Sequence, residues 1–334
     1  MKRIGDLYDR IISLENLRMA DQSAMKGKRR SYGVIRHLAN QEENLLKLHE
    51  SLKNQQFKTS TYDVFDIVAD AGKVRTIYRL PYYPDRIVHH AVLNVLEPIW
   101  VSVFINNTYS CIKGRGVHLA HKHILSALKD ECNTAYCLKI DIKKYYPSID
   151  HDTLKSIVAK KIKDKKVLNL LYEVIDSAPG IPIGNYLSQY FANLYLSYFD
   201  HWVKEVLKVK YYYRYADDIV IFHADKGQLH TWLGDIRAYL ESELKLTLNN
   251  KYQVFPVDKR GVDFLGYVYT HRGSRLRKRI KQSMFRKLSR VIKDGSNDAS
   301  IMKLFASYNG WMKHCDTRNL VNVINTKYLN EKVF

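Results

Sequence analysis

The chain has 334 residues, enough for one large domain or two to three tightly joined subdomains. Its 54 Lys and Arg against 34 Asp and Glu leave a formal charge of +20 and a pI of about 9.6, which makes a polyanion the natural partner. No apolar run is long enough to span a bilayer and the N-terminus lacks a signal-peptide core, which argues against a membrane or secreted protein. Cys111, Cys132, Cys137 and Cys315 lack paired metal-ligand spacing, so they read as reduced, buried thiols in a cytoplasmic chain. Aromatic residues make up 12%, with 25 Tyr among them; they offer stacking platforms for bases, although many must be core.

Residues 1 to about 58 read as helical, with apolar spacing at Leu45, Leu48 and Leu52 and a basic break at Lys26-Gly-Lys-Arg-Arg30. No acid occurs between Gln22 and Gln41, so this stretch reads equally as a nucleic-acid contact or a solvated basic loop. From Tyr62 the pattern turns to strands: Tyr62 to Val68, a turn at Ala71-Gly72, then Val74 to Tyr78. The segment Leu80 to His90, rich in charge and aromatics, opens a helix continuing to about Trp100. Lys113 and Arg115 flank Gly114 in a Gly-Arg-Gly run and suit phosphate contact, since glycine lets backbone approach closely.

Between Ala135 and Asp150, Leu138, Ile140 and Ile142 alternate with Lys139, Asp141 and Lys143, the period of a half-buried strand. Asp141 therefore lies away from the apolar side. Asp150 is placed to cap a helix running to about Lys165 with a dense lysine face. Gly180-Ile-Pro-Ile-Gly184 breaks the chain, and Asn185 then caps a long helix with Leu187, Phe191, Leu194, Tyr198 and Trp202 on one side. In Tyr211 to Phe222, two strand-forming runs flank a tight break that carries Asp217 and Asp218 at a hairpin tip. Adjacent like charges are expensive unless cations neutralise them, so the pair asks for a metal. An Asp-Asp turn alone is ordinary surface chemistry, as is a lone strand-end Asp; the three acids in matching settings make the reading catalytic. Two Mg²⁺ ions on such carboxylates can activate a hydroxyl and stabilise a leaving oxygen in nucleotidyl transfer.

Leu229, Trp232, Leu233, Ile236, Leu240 and Leu244 mark a further amphipathic helix, and the alternation of elements predicts an α+β fold, a mostly antiparallel sheet backed by two helices. Asn250-Lys251 and Val262-Asp-Phe-Leu-Gly-Tyr267 follow. Residues 272 to 293 hold ten Lys or Arg and no acid, interleaved with Leu276, Ile280, Phe285, Leu288 and Ile292. This spacing predicts an amphipathic basic helix that packs on a subdomain while tracking a duplex backbone. The stretch around Ile301 to Trp311 and a last helix complete the chain.

A strand acid followed by Tyr215-Ala-Asp-Asp218 on a hairpin resembles the reverse transcriptases, whose palm carries these motifs in this order. The resemblance implies a right-hand polymerase: an N-terminal helical extension over 1–60, fingers over 61–134, palm over 135–270 with part of the fingers around 150–185, and a helical thumb over 271–334. It makes Asp141, Asp217 and Asp218 catalytic and puts them, with Ile142, at two Mg²⁺ ions, for which Mn²⁺ can substitute. It assigns Arg75 to the triphosphate, Tyr146 as an aromatic gate against a ribose 2′-hydroxyl, and Ile183, Gly184, Gln189 and Lys251 to the nucleotide site. Asp85-Arg86 and Gly114-Arg-Gly116 match further family blocks. Lys113, Arg115 and Tyr215, the Leu265-Gly266 primer grip, and Arg277, Lys278 and Arg279 fall to the nucleic acid.

Most reverse transcriptases begin the segment equivalent to Ile183-Gly-Asn-Tyr-Leu-Ser-Gln189 with Gln and end it Ser-Pro. The form here resembles the reverse transcriptases of diversity-generating retroelements, over nearly the whole chain. That resemblance implies a bacterial or phage-encoded enzyme copying a template-repeat RNA from a cDNA primer with dNTPs, with frequent errors opposite adenine. It also implies a small basic accessory protein that forms a barrel-shaped oligomer. Other readings are a group II intron- or retron-type enzyme of ordinary fidelity and a catalytically idle RNA-binding scaffold; the retained acids argue against the scaffold. No His-Asp-Glu-His cluster follows the palm, so neither RNase H nor endonuclease activity is expected.

Overall fold

In chain order, helices α1 (Tyr8–Ile12), α2 (Leu14–Met25), α3 (Tyr32–Leu38) and α4 (Gln41–Lys53) precede the hairpin β1 (Asp63–Val68) and β2 (Val74–Arg79). Helices α5 (Ile87–Val101) and α6 (Val117–Ala127) lead to β3 (Tyr136–Asp141). Four helices follow, α7 (His151–Ala159), α8 (Lys165–Ile175), α9 (Tyr186–Tyr195) and α10 (Ser197–Glu205), then the hairpin β4 (Tyr211–Tyr215) and β5 (Asp218–His223). After α11 (Lys226–Leu244) come β6 (Gln253–Pro256), α12 (Val257–Arg260), β7 (Val262–Phe264), β8 (Tyr267–Thr270) and β9 (Gly273–Leu276). The described part ends with α13 (Lys278–Lys293), α14 (Asp298–Met312) and α15 (Arg318–Ile324). This computed structural model describes residues 3–68, 72, 74–294, 298–324 and 326. Every pairing between these strands is antiparallel, so the fold is α+β. No helix among the described residues is long and apolar enough to cross a membrane.

The chain forms two compact units interleaved in sequence. Met1–Ile112, Ile142–Lys208 and Asp235–Asn249 make the first; Lys113–Asp141, Val209–Gly234 and Asn250–Phe334 make the second.

In the first unit α5 is apolar almost all round and buries Ile87, Val88, Ala91, Val92, Leu96 and Trp100, as a helix central to a core must. Helices α1 and α2 pack on it and α4 packs on them, with Leu45, Leu48 and Leu52 buried as their spacing predicts. Asp21 is fully buried and accepts hydrogen bonds from the Tyr82 hydroxyl and the Gln41 amide, while His37 Nε2 lies 3.3 Å away. Hairpin β1–β2, by contrast, is exposed along nearly its whole length. Ala71, where its turn was expected, lies outside the described residues; Gly72 has φ +72°.

Three expectations need correction here. The helix capped by Asp150 stops at Ala159, not near Lys165. Ile162 bridges Ile4, and Asp164 takes the amides of Leu7 and Tyr8 while capping α8, so long-range contacts end the first helix and a local cap starts the second. The long helix after Asn185 is two helices, divided at Leu196, and Asn185 makes no capping bond; its Nδ2 donates instead to the Tyr62 hydroxyl. The thiols are not uniformly buried: Cys137 is, but Cys111 and Cys132 are exposed.

The second unit holds a four-stranded sheet in the order β4-β5-β3-β6 and a three-stranded sheet β7-β8-β9. Cys137, Leu138, Ile140, Ile219, Val220, Ile221 and Phe222 are all buried, which anchors the two central strands firmly. The basic helix begins at Lys278 rather than 272. Gly273 to Leu276 pair with β8, and Leu276, buried opposite Tyr267, gains more as a sheet residue than as the first turn of a helix. Within α13, Met284 and Leu288 are buried, and the side chain of Ile292 lies outside the described part.

Candidate active site

The three acids meet at one end of the central strands of the second unit. β3 ends on Asp141 and β5 begins on Asp218, and the two are register partners. Direct partners in an antiparallel pair hold their Cα atoms about 4.5–5.5 Å apart. Tyr215 pairs with Asp218, so Ala216 and Asp217 alone form the hairpin loop. Ala216 takes φ +53°, a conformation that costs a non-glycine residue roughly 1 kcal/mol. The Arg214 guanidinium, fully buried behind the loop, donates from Nη1 to the Ala216 carbonyl at 3.0 Å and supports that turn. Sequence reading missed Arg214; a charged residue inside a strand run of tyrosines was the available signal.

Burial, and then the charges of Asp141 and Asp218, push the Asp217 carboxyl up to about 7. Mutual repulsion among hard oxygen donors is what a divalent cation relieves, so the donor chemistry fits Mg²⁺ or Mn²⁺. Among the described residues no three His, Cys, Asp or Glu side chains converge as a finished metal cage. The fit therefore rests on the shared strand ends and the raised Asp217. Ile142, the next residue along the chain, is buried in the first unit and bridges Leu248.

In the first unit several residues expected at the nucleotide gather around one loop. The Tyr146 carbonyl accepts from the Ile181 amide at 2.9 Å, and Gly180 (φ +58°) packs so closely that a Cβ there would lie 2.6 Å from the Pro147 carbonyl oxygen. The Ile183 carbonyl accepts from Tyr78 on β2 at 2.9 Å. Gly184, at φ +123°, faces the Tyr78 carbonyl oxygen, 2.6 Å from where a Cβ would stand. Only glycine serves here. Arg75 lies on the same strand as Tyr78, exposed, and Gln189 is exposed on α9.

The residues expected at nucleic acid lie in the second unit. Leu265 and Gly266, with φ +50° and +87°, form a two-residue loop between β7 and β8, as such hairpins require. A Cβ on Gly266 would lie 2.7 Å from the Trp311 ring and 3.0 Å from Ile280, and its carbonyl accepts from the Arg277 amide at 2.9 Å. The loop is thus clamped by α13 and α14. Arg277 pairs with Asp263, while Lys278 and Arg279 are exposed. Lys113 is exposed, Arg115 and Tyr215 half-buried, and Gly114 takes φ +76°; Lys251, expected at the nucleotide, is exposed and belongs to this second unit rather than to the loop of the first.

The profile of the reverse transcriptase (RNA-dependent DNA polymerase) family matches residues 58–269, which carry all three acids. Protein YkfC of Escherichia coli strain K12 is 28% identical over 249 residues, covering 61% of this chain and 65% of that protein. The group II intron-encoded protein LtrA of Lactococcus lactis subsp. cremoris is 29% identical over 182 residues, covering 51% of this chain and 30% of that protein. The chain thus spans less than two thirds of the length of either relative. Apo telomerase from Candida tropicalis shares the fold, with a TM-score of 0.50 at 13% identity over 64% of this chain and 48% of that one.

Proposed function

The chain belongs to the reverse transcriptase (RNA-dependent DNA polymerase) family, and from that premise we propose that it extends a DNA primer by copying an RNA template. The observation that carries this reading is the register of Asp141 against Asp218 with Asp217 in the loop between the strands. Asp141, Asp217 and Asp218, with Ile142 beside them in sequence, would hold two Mg²⁺ ions, which when bound supply charge neutralisation for the attacking 3′-hydroxyl and the departing pyrophosphate. The chain's own residues do the rest. Arg75 offers an exposed cation to the triphosphate, and the Tyr146 ring excludes a ribose 2′-hydroxyl. Gly184 keeps the backbone of its loop slim. Lys113, Arg115, Lys278 and Arg279 meet the phosphates of template and primer.

The finer reading is a diversity-generating retroelement enzyme in a bacterial or phage-infected cytoplasm. Such an enzyme copies a template-repeat RNA with errors opposite adenine and works beside a small basic barrel-forming protein. Ile183 and Gln189 support it, since each departs from the usual family residue. A group II intron-type enzyme of ordinary fidelity is the second reading, favoured by the likeness to LtrA.

Primer extension on a defined RNA tests both levels. The wild type should incorporate dNTPs only with Mg²⁺ or Mn²⁺, while Asp141→Ala and Asp217→Ala lose incorporation and keep RNA affinity. Either variant polymerising at the wild-type rate would overturn the triad. Sequencing the cDNA decides the finer level: adenine copied as faithfully as the other bases rules out the diversity-generating reading.

A further inference from the structure

Asn185 stands where a helix cap is expected, yet its side chain makes no capping bond to α9. It is buried, and its Nδ2 donates to the Tyr62 hydroxyl at 2.8 Å. Ser177 Oγ donates to the Val174 carbonyl at 2.6 Å, at the end of α8, which leaves its oxygen to accept from Tyr62 at 2.7 Å. The direction of the chain follows from the carbonyl, which can only accept: Asn185 to Tyr62, Tyr62 to Ser177, Ser177 to Val174. Each donor polarises the next.

The same Tyr62 ring meets Tyr78 edge-on at 5.6 Å, and Tyr78 is the residue whose backbone holds Ile183 and abuts Gly184. The stretch before Tyr62 is tethered as well, through Thr59 and Lys58 to Glu173 and through Ser60 to Asp85. Hairpin β1–β2 is exposed and two-stranded, and such a hairpin has little to hold it except its base. Tyr62 is at that base. Its hydroxyl links the start of α9, the end of α8 and, through its ring, the strand that bears Arg75.

We propose that Tyr62 is a positioning residue for the incoming nucleotide: through Asn185 and Tyr78 it sets the Ile183-Gly184 loop against the Arg75 strand. The inference rests on the polymerase reading above. Tyr62→Phe keeps the ring and removes both hydroxyl bonds. The KM for dNTP should rise about three- to tenfold, with kcat within about twofold of wild type. Amide exchange at Tyr78 and over residues 183–186 should quicken. Asn185→Ala should raise KM similarly, and the double variant should add little, because both cut one link. Tyr8→Phe serves as control: it removes a buried hydroxyl bond to the Leu52 carbonyl in the same unit and should leave KM unmoved.

An unchanged KM in Tyr62→Phe, or additive effects in the double variant, would overturn the proposal. If the wild type incorporates no deoxynucleotide, the polymerase reading falls and the inference with it. A polymerising wild type beside an unmoved Tyr62→Phe overturns the inference alone.

Discussion

Ile183 shows how one position divides its duties between backbone and side chain. Its carbonyl is committed to Tyr78, so the anchoring of the loop does not depend on the side chain. The side chain is then free to differ from the glutamine usual in the family. A branched apolar group can neither donate nor accept, and each hydrogen bond lost near a base pair is worth about 0.5–1.5 kcal/mol, several-fold in discrimination. Ile183→Gln should therefore gain several-fold in fidelity at every template base; on the proposed diversity-generating reading, and not from the lost hydrogen bond, the gain should be larger opposite adenine than opposite the other bases. Error spectra of wild type and variant on one RNA template check it, and equal spectra would remove Ile183 from nucleotide selection.

Among the elements, α13 and α5 make opposite uses of charge. In α13 the cations Lys278, Arg279, Arg286, Lys287 and Arg290 are exposed around a narrow stripe of Met284 and Leu288. Reversing Arg277, Lys278 and Arg279 to Glu should weaken primer-template binding and lower the salt slope by about one to three units. Arg277 also pairs with Asp263, so a Lys278/Arg279 double reversal separates phosphate contact from damage to β7. A slope equal to wild type in both would place α13 away from nucleic acid. In α5 the charge is suppressed. Burial, then neighbouring positive charges, hold His89 down to about 3 and His90 to about 4. In the unfolded chain both protonate near 6.5, so between about pH 6.5 and 4 the unfolded state binds more protons. The stability due to these histidines is thus complete above about pH 6.5 and lost as pH falls, by about 2 kcal/mol at pH 5 from the buried His89 and by a smaller, solvent-screened amount from His90. Urea melts at pH 7.5 and pH 5 measure the loss, and His90→Gln should reduce it. A melt independent of pH across this range would show that α5 opens before its histidines titrate.

At the scale of the whole molecule the charge of +20 sets the terms of binding. RNA affinity should fall at least about a hundredfold between 50 and 200 mM salt, because several phosphates release counterions at once. Asp141→Ala and Asp217→Ala should share that salt dependence, since removing acids takes no cation from the surface. A binding constant insensitive to salt would mean that stacking on tyrosines, and not phosphate contact, carries the affinity.

Much of the candidate site was legible along the chain because its signals are local. Alternation in Leu138 to Lys143 places Asp141 on its strand, and adjacent acids between two β-forming runs mark the Asp217-Asp218 hairpin. Glycines at 184 and 266 announce tight backbone before any neighbour is known. What the tertiary structure decided is which distant groups satisfy these local elements. Asp141 faces Asp218 because β3 pairs with β5, and no property of either segment alone sets that register. Arg214 is committed to the Ala216 carbonyl, and the Asn185 amide donates to Tyr62. Asp164 caps α8 locally through Oδ1 on the Lys166 and Val167 amides, while its Oδ2 takes the Leu7 and Tyr8 amides more than 150 residues away in sequence. Local propensity is worth tenths of a kcal/mol per residue, whereas a buried polar group left without a partner costs about 1–3 kcal/mol. Long-range partners therefore override local pattern where the two compete, as in β9, and are met alongside it where one side chain has two acceptors, as at Asp164.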